Sequence, residues 1–330
     1  MSARQEILRC LRRGLLAISA FALCVGLASA PARSEDAPLR IAVLKFGTVN
    51  WLMETITSRG LDRAEGVALE VVPLASSAAT KIAYQSGDSD MLVADWVWVM
   101  RLRSEDKDAR FAPYLNASGA LVADAGFGGL CDLKDKTVGI VGGPQDKSWL
   151  VLQALADRDC GFDLAAETEA LYGAPPLMSR QLTDGAVSAV STYWHFVAKL
   201  EAAGKTPVIR ISDAMAKLGI APAPALIGFV WDQQRVDPAV AAAFLRSVDA
   251  AREVLATDDA AWQALRPRMR AKTDAEFAAL RDAFRSGIPA GWTDADTKAA
   301  GKLYDLLATR AGKAFTSQAG PFDAVAFQTP

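Results

Sequence analysis

The chain has 330 residues, of which 51% are hydrophobic and 22% are charged, proportions typical of a globular protein with a sizeable core. Its length allows two domains. Five of its 36 basic residues and one of its 38 acidic residues lie in positions 1–34, so the rest of the chain carries a net charge of −6. That balance argues against nucleic acid as a partner.

The first 34 residues have the pattern of a cleavable export signal. Four arginines precede an apolar stretch over residues 14–30, and cleavage after Ala30 or Ser34 would suit the small residues there. A membrane anchor is the alternative, but the apolar stretch is short for a span of roughly 20 residues. We therefore expect residues 1–34 to be a signal peptide that is removed.

Short β-branched runs alternate with helical segments in the first third of the chain. Strands are predicted over residues 39–45, 67–74 and 89–94, each followed by a helix, with Asn50 and Asp95 as candidate helix caps. Repeated strand–helix units predict a parallel sheet. Ligands of such sheets bind outside the carboxyl ends of the strands, so we expect the loops there to line a site.

A second series of strand–helix units follows. Its strands are predicted over residues 137–141, 167–172, 186–191 and 207–211. One more strand is predicted over residues 225–231. The remaining chain is predicted to form four helices, each with an acidic residue at or near its start.

The turn after the strand at residues 137–141 carries the clearest signal of a site. A Gly-Gly-Pro sequence at 142–144 separates this strand from a helix that begins near Gln145 or Asp146. Free N–H groups and the helix dipole at such a start attract anions, and Lys147 is the cation best placed to assist. Alternatively, the turn is only structural and Asp146 merely caps the helix.

Tryptophans are concentrated at or just after the predicted strand ends. If they face a ligand, they form an aromatic-lined cleft, whereas any single one of them can equally pack beneath the loops. The five are Trp51, Trp96, Trp98, Trp149 and Trp194. Trp149 is the weakest candidate because it lies inside a predicted helix.

Polar residues near the strand ends leave several interpretations open. Asp95 either caps the next helix or accepts a hydrogen bond from a ligand. Lys45 and Lys81 are either cleft cations or solvated surface charges. His195 is the only histidine. The sequence contains no HExxH motif, Cys/His cluster, GxSxG elbow or Walker loop, so we expect no metal, no cofactor and no catalysis.

Four segments, taken in order, resemble a known family. They are LRIAVLKFG at 39–47, GDSDMLVAD at 87–95, CDLKDKTVGIVGG at 131–143 and DGAVSAVSTYWHFVAKLEAAG at 184–204. Together they are similar to periplasmic substrate-binding proteins of ABC importers, of the nitrate, sulfonate and taurine type. The similarity covers about residues 39–255. It implies an α/β fold of two lobes, the type II periplasmic-binding-protein fold, with the ligand cleft between the lobes.

The resemblance also implies how the chain is divided and what it does. Lobe one would comprise residues 35–124 and 224–330, lobe two would comprise residues 125–223, and hinges near Ala125 and Ala223 would close them. The implied function is capture of a small anionic ligand, with aromatic character, for an ABC permease at the inner membrane. The protein would be a periplasmic monomer. An enzyme or ligand sensor on the same fold, related to thiamine-pyrimidine or cofactor chemistry, is the alternative.

The expected ligand-binding residues lie in the loops at the strand ends of both series. They are Phe46, Thr48, Asn50, Trp51, Ser76, Ser77, Asp95, Trp96, Gly143, Gln145, Asp146, Lys147, Tyr193 and Trp194.

Two cysteines remain after the predicted cleavage, which removes Cys10 and Cys24. A strand and its following helix have their outer ends near each other, which brings Cys160 back to the edge where Cys131 begins. A disulfide is therefore geometrically possible in an oxidising compartment. Two buried free thiols are the alternative.

Overall fold

The computed structural model describes residues 36–124 and 126–327. The predicted signal peptide and the predicted hinge residue Ala125 lie outside the described residues. From Ala37 onward the chain forms one compact unit. Within the described residues, no helix combines the length and the apolar composition needed to span a membrane.

Ten strands occur in the described ranges, and most lie within a few residues of the positions predicted. They are β1 (Ala37–Leu44), β2 (Val67–Leu74), β3 (Met91–Asp95), β4 (Ala109–Pro113), β5 (Ala120–Ala123), β6 (Thr137–Val141), β7 (Glu169–Gly173), β8 (Ala189–Thr192), β9 (Thr206–Arg210) and β10 (Ile227–Asp232).

Thirteen α-helices occur in the same ranges, together with single 3₁₀ turns at Leu130–Leu133 and Ala324–Phe327. The helices are α1 (Val49–Ser58), α2 (Leu61–Ala64), α3 (Ser77–Ser86), α4 (Trp96–Ser104), α5 (Lys147–Cys160), α6 (Pro175–Thr183), α7 (Trp194–Ala202), α8 (Ile211–Lys217), α9 (Pro238–Thr257), α10 (Asp259–Met269), α11 (Asp274–Ser286), α12 (Asp294–Ala311) and α13 (Lys313–Ala319).

The first sheet has the order β2-β1-β3-β10-β4. Strands β1, β2 and β3 are parallel, as expected from the strand–helix units. Strand β10 is antiparallel, with Phe229 opposite Val93 of β3 and Ala112 of β4. The parallel arrangement predicted for the three strand–helix units is therefore confirmed, and a strand from late in the chain joins them in the antiparallel direction between β3 and β4.

The second sheet repeats this plan with the order β7-β6-β8-β5-β9. Strands β6, β7 and β8 are parallel. The antiparallel member is β5, whose Leu121 lies opposite Ser191 of β8 and Ile209 of β9. Two mixed sheets with flanking helices confirm the predicted α/β class. The sequence analysis missed β4 and β5, and these are the strands through which the chain passes from the first sheet to the second.

Helices cover both faces of the first sheet and position the loops at its carboxyl edge. Helices α1, α9, α10 and α11 share one core with β1 and β10, in which Leu52, Phe229 and Phe244 are fully buried. Helices α4 and α12 pack on the other face, and that core continues to Val138 and Ile140 of the second sheet. The third core packs α6 and α7 on the other face of the second sheet.

The start of α1 differs from the prediction. The helix begins at Val49 with Thr48 as its N-terminal flanking residue, so Asn50 is not the cap. The side-chain amide of Asn50 instead donates to the carbonyls of Leu44 (2.7 Å) and Gly47 (2.8 Å). It thus holds the β1–α1 loop closed on itself.

The predicted disulfide between Cys131 and Cys160 is present. Cys131 lies in the 3₁₀ turn before β6, and Cys160 is the last residue of α5. Their Cα atoms are 5.4 Å apart, within the range that a bridge requires. The bond joins the ends of β6 and α5 that are remote from the Gly-Gly-Pro turn.

Candidate functional site

An ion pair joins the loops at the carboxyl ends of the two sheets. Asp95 ends β3 of the first sheet, and Lys147 begins α5 beside the second sheet. The Nζ atom of Lys147 lies 3.3 Å from Oδ1 of Asp95, and both side chains are largely buried. The cation expected to assist anion binding is therefore already paired with a carboxylate.

Asp95 has the capping role that its sequence position allowed. Its Oδ1 accepts a hydrogen bond from the N–H of Trp98 at 3.1 Å and so caps α4. Burial raises its pKa, but Lys147, Lys81 and the Trp98 N–H outweigh burial and hold the pKa below the ordinary value. Asp95 is consequently ionised at neutral pH and can act as a hydrogen-bond acceptor.

Asp146 occupies the helix start that was expected to attract an anion. Its Oδ1 accepts from the N–H groups of Ser148 (3.0 Å) and Trp149 (3.3 Å). Burial raises the pKa of Asp146 in spite of those bonds and of Lys147. Gly142 has a φ of +94°, and its Cα lies so close to this carboxylate that a Cβ would collide with it. The geometry supports the capping interpretation of the Gly-Gly-Pro turn.

Lys81 and Tyr193 complete the surroundings of the ion pair. Nζ of Lys81 lies 5.1 Å from the Trp98 ring centroid, and burial together with Lys147 lowers its pKa despite Asp95. Burial and the charges of Asp146 and Asp95 raise the pKa of Tyr193 to about 12. We use the name ion-paired junction for Asp95, Asp146, Lys81 and Lys147, in which two acids face two bases.

The strand-end tryptophans are mostly core residues. Trp96 is 0% exposed and packs edge-on against Phe322 and Phe327, with ring centroids 6.2 and 6.1 Å away. Trp149 is also fully buried. The expected aromatic cleft is therefore wrong for Trp96, because β3 and α4 direct its ring beneath the loops and into the interior.

Trp51 and Trp194 form a seam between α1 and α7. Their rings meet edge to face with centroids 6.0 Å apart. Trp51 is only 4% exposed and also contacts Trp262 of α10 at 6.0 Å. These two rings link helices that pack on different sheets.

Three further predicted residues are exposed at or just before the start of a helix. Ser76 caps α3 by accepting from the Ala79 N–H at 3.1 Å, and both Ser76 and Ser77 are exposed. Gln145 is exposed as well, in the turn where Gly143 adopts a φ of +90°.

A cavity of about 1280 Å³ lies among the β1–α1 loop, helices α6 and α7, and the turn from α10 to α11. Of the predicted ligand-binding residues, those that line it come from the β1–α1 loop and the start of α1: Phe46, Thr48, Asn50 and Trp51. His195 of α7 lines it as well. The cavity thus joins the first predicted loop to a wall that the sequence analysis did not anticipate.

The cavity wall is rich in cations. Its basic residues are Lys45, Arg180, Lys199, Arg268, Arg270 and Lys272, and its acidic residues are Glu54 and Glu276. The sequence analysis proposed only Lys45 among them. The basic run RPRMRAK at 266–272 is the sequence feature that indicates these cations. It predicts a cavity wall only once the α10–α11 turn is known to lie beside α7.

Phe46 is the most exposed aromatic residue of this wall, at 68%. The guanidinium carbon of Arg270 lies 4.3 Å from its ring centroid, and Nζ of Lys45 lies 5.6 Å away. An apolar ring bordered by cations suits a ligand that combines an apolar body with an acidic group.

His195 is neutral in this environment. Burial and the nearby charge of Lys199 lower its pKa to about 4. Its Nδ1 atom is buried without a hydrogen-bond partner among the described residues. In the described part of the chain, no group of three or more His, Cys, Asp or Glu side chains is arranged to hold a metal ion.

Comparisons with known proteins show the fold through solved structures. No protein-family model and no curated protein sequence matches the chain. The periplasmic aliphatic sulphonate binding protein SsuA from Escherichia coli is 11% identical, with a TM-score of 0.68 over 89% of this chain and 92% of that one. The alkanesulfonate-binding protein SsuA from Xanthomonas axonopodis pv. citri, bound to MOPS, is 15% identical, with a TM-score of 0.64 over 90% of this chain and 100% of that one.

An enzyme shares the same architecture. DszB in complex with biphenyl-2-sulfinic acid is 12% identical, with a TM-score of 0.56 over 88% of this chain and 98% of that one. The neighbours are mostly solute-binding proteins of transport systems. The chain has the fold of the periplasmic substrate-binding proteins, as the four sequence segments indicated.

Proposed function

We propose that the chain is the periplasmic solute-binding component of an ABC importer, which captures a small organic anion and delivers it to a permease at the inner membrane. The cavity carries this proposal, because its wall combines the β1–α1 loop with helices α6 and α7 and has an excess of cations. Its volume is sufficient for a small organic molecule, since it lies slightly above the usual range of roughly 300–1000 Å³ for ligand pockets. The sulfonate-binding proteins of the same fold support the anion class.

The division into lobes is part of this proposal. Lobe one would be residues 35–124 with 224–330, and lobe two would be residues 125–223. The ion-paired junction and the Trp51–Trp194 contact both join elements of the two proposed lobes. Such contacts are what a closed arrangement of two lobes requires, and hinge motion would open them.

Capture without chemistry is the better-supported activity. A general acid or base is normally oriented by a hydrogen-bonded partner, and His195 has none at Nδ1 among the described residues. The fold shared with DszB supports the alternative, an enzyme acting on an aromatic sulfur acid. Conversion of the bound compound separates these two functions.

The test is a ligand screen on the purified mature protein. Thermal shifts are measured with sulfonates, nitrate, carboxylates, aromatic acids and pyrimidines, and hits are quantified by calorimetry. We expect organic anions to raise the melting temperature and to be recovered unchanged by mass spectrometry. A converted product would favour the enzyme, and stabilisation by neutral or cationic compounds alone would reject anion capture.

Cellular experiments test the remaining parts of the proposal. We expect the protein in the periplasmic fraction, shortened by its first 30 or 34 residues, and monomeric by light scattering. Uptake of the identified ligand should require both this protein and a permease. Uptake that persists without the protein would argue for a sensor.

A further inference from the structure

Three cavity cations meet where α7 approaches the turn between α10 and α11. Lys199 lies on α7, and its Nζ donates to the backbone carbonyl of Arg270 at 3.3 Å. Arg270 and Lys272 lie in the turn, and all three residues line the cavity. We use the name cationic cluster for Lys199, Arg270 and Lys272.

Two of the other three cavity cations are neutralised in ion pairs, and the third, Lys45, lies beside Phe46. Arg268 is 2.7 Å from Glu54, and Arg180 is 3.2 Å from Asp184. The remaining lining acid, Glu276, accepts the backbone N–H of Lys272 at 2.7 Å. Among the described residues, no member of the cationic cluster has a carboxylate within ion-pair distance. Positive charge therefore accumulates on this part of the wall.

The electrostatics of Lys199 reflect this accumulation. Burial lowers its pKa, and the charges of Lys272 and Arg270 lower it further against the opposing effect of Glu276. A bound anion would favour the charged form of Lys199. A bound anion would thus supply the cluster with the opposite charge that Asp95 already supplies to Lys147.

Backbone conformation adds a second observation at Arg270. This residue has a φ of +52° and terminates α10 in the left-handed region, which glycine adopts more readily than any residue with a Cβ. An arginine in that position is unfavourable for the backbone. Its side chain, however, reaches Phe46 across the cavity wall.

We infer that the cationic cluster is the anion-recognition subsite for the captured ligand, a sulfonate or carboxylate whose apolar body lies along Phe46. The inference rests on the proposed function and assigns anion recognition to α7 and the α10–α11 turn rather than to the helix start at Lys147. Because the cluster joins helices that pack on different sheets, the bound acid group also ties these helices together.

Calorimetry with 1-naphthalenesulfonate tests the inference on the full mature protein. Lys199→Met keeps the apolar stem of the side chain, and Arg270→Gly removes the guanidinium while suiting the backbone. Each should raise the dissociation constant roughly ten- to a hundred-fold, the range for one hydrogen bond to a charged group. The neutral analogue 1-naphthalenemethanol should bind wild type and both variants equally weakly.

Lys302→Met is the matched control. Its Nζ also donates to a backbone carbonyl after a helix, that of Gly219 at 3.1 Å, but Lys302 does not line the cavity. This variant should bind the sulfonate like wild type, with melting temperatures confirming that all variants fold.

The outcomes separate the inference from the proposed function. Naphthalenesulfonate binding that is equal in wild type, Lys199→Met and Arg270→Gly overturns the inference and leaves anion capture standing. If wild type binds a different sulfonate or carboxylate of the screen, the variants are titrated with that acid, and affinities equal to that of wild type overturn the inference alone. Wild type that binds no anion overturns both.

Discussion

The ion-paired junction and the cationic cluster are both built where elements of the two sheets meet, yet they treat charge in opposite ways. At the junction, Lys147 lies 3.3 Å from Asp95, and Asp146 occupies the N–H groups of the helix start. At the cluster, Lys199 meets a backbone carbonyl and two further cations, and the charge of Glu276 opposes those cations without lying within ion-pair distance of Lys199. A cation near a helix start is thus a poor guide to anion binding, because its partner decides whether it is available.

The contrast indicates that the junction and the cluster have different roles. An internal ion pair needs no ligand, so the junction stabilises the contact between the sheets by itself. The like charges of the cluster repel one another until an anion binds. The contribution of the cluster to the contact between the sheets therefore depends on the ligand. Perturbing each region separately, and the packing that links them, tests this division.

The largest effect is expected from removing Trp51, which joins the cavity wall to the core. Its ring contacts Trp194 and Trp262, so Trp51→Ala should lower the free energy of unfolding by about 3–5 kcal/mol, as for other large buried aromatic residues. Urea denaturation measures the loss. Trp51→Phe should cost clearly less, and a loss no larger for the alanine than for the phenylalanine variant would contradict the packing role.

Repetition made much of this fold predictable from the sequence. The βαβ units of both halves are recognisable in the sequence by their β-branched runs and capped helices. Strand β6 lies at the predicted residues. β5 was missed because Ala120–Ala123 is short and lies between strands distant in sequence. Its identity as a strand comes from pairing, which no local pattern encodes.

The candidate site was less predictable than the fold. Loop positions such as Phe46 and Asp95 follow from strand ends, and the structure places them in the cavity wall and at the junction. The position of a residue at a strand end does not determine the direction in which its ring points. For this reason the sequence did not show that the ring of Trp96 is directed into the core. Arg270 was missed because its relation to Phe46 spans more than two hundred residues and depends on how α10 and α11 pack.

Removing the disulfide should lower stability without changing the ion-paired junction or the cationic cluster. The Cys131–Cys160 bridge lies at the ends of β6 and α5 remote from the junction, and its sequence separation is 29. A loop of that size gives about 3.5 kcal/mol in the chain-entropy treatment. The double Cys→Ser variant should therefore melt earlier but bind ligand like wild type. Weakened binding with unchanged melting would show that the bridge shapes the site.

His195 should make stability depend on pH on the cavity side. Its pKa is lowered from 6.5 to about 4, so the unfolded chain binds a proton more readily and the folded protein loses stability as pH falls below 6.5. The loss attributable to His195 should reach about 2 kcal/mol at pH 5, as an upper limit. His195→Phe should remove this part of the pH dependence.

Nuclear magnetic resonance checks the same prediction directly. As the chain has one histidine, its ring signal is unambiguous and its titration midpoint gives the pKa. A midpoint near the ordinary value would contradict burial of the ring. A midpoint that rises when 1-naphthalenesulfonate binds would place the anion near His195.

The smallest effect on stability is expected from substituting the two aspartates of the junction, both of which cap helices. These two substitutions also give the most direct comparison of a paired with an unpaired carboxylate. Asparagine caps a helix about as well as aspartate, so Asp95→Asn and Asp146→Asn differ mainly in the charge removed. Asp95→Asn leaves Lys147 without its partner and should cost roughly 1–2 kcal/mol, between the values for exposed and buried pairs. Asp146→Asn should stay within about 0.5 kcal/mol or stabilise slightly, because burial already disfavours its charged form.

Acid separates the two variants further. The pKa of Asp95 lies below its ordinary value of 3.8, so its stabilising effect is complete above that value and disappears as pH falls through the lower pKa of the folded protein. The gap between wild type and Asp95→Asn, measured by urea denaturation, should therefore close in acid. The raised pKa of Asp146 gives the opposite sign, since wild type gains stability as that carboxylate is protonated. Equal losses for both variants at neutral pH would contradict a stabilising role of the Asp95–Lys147 ion pair, because both asparagines keep the helix caps.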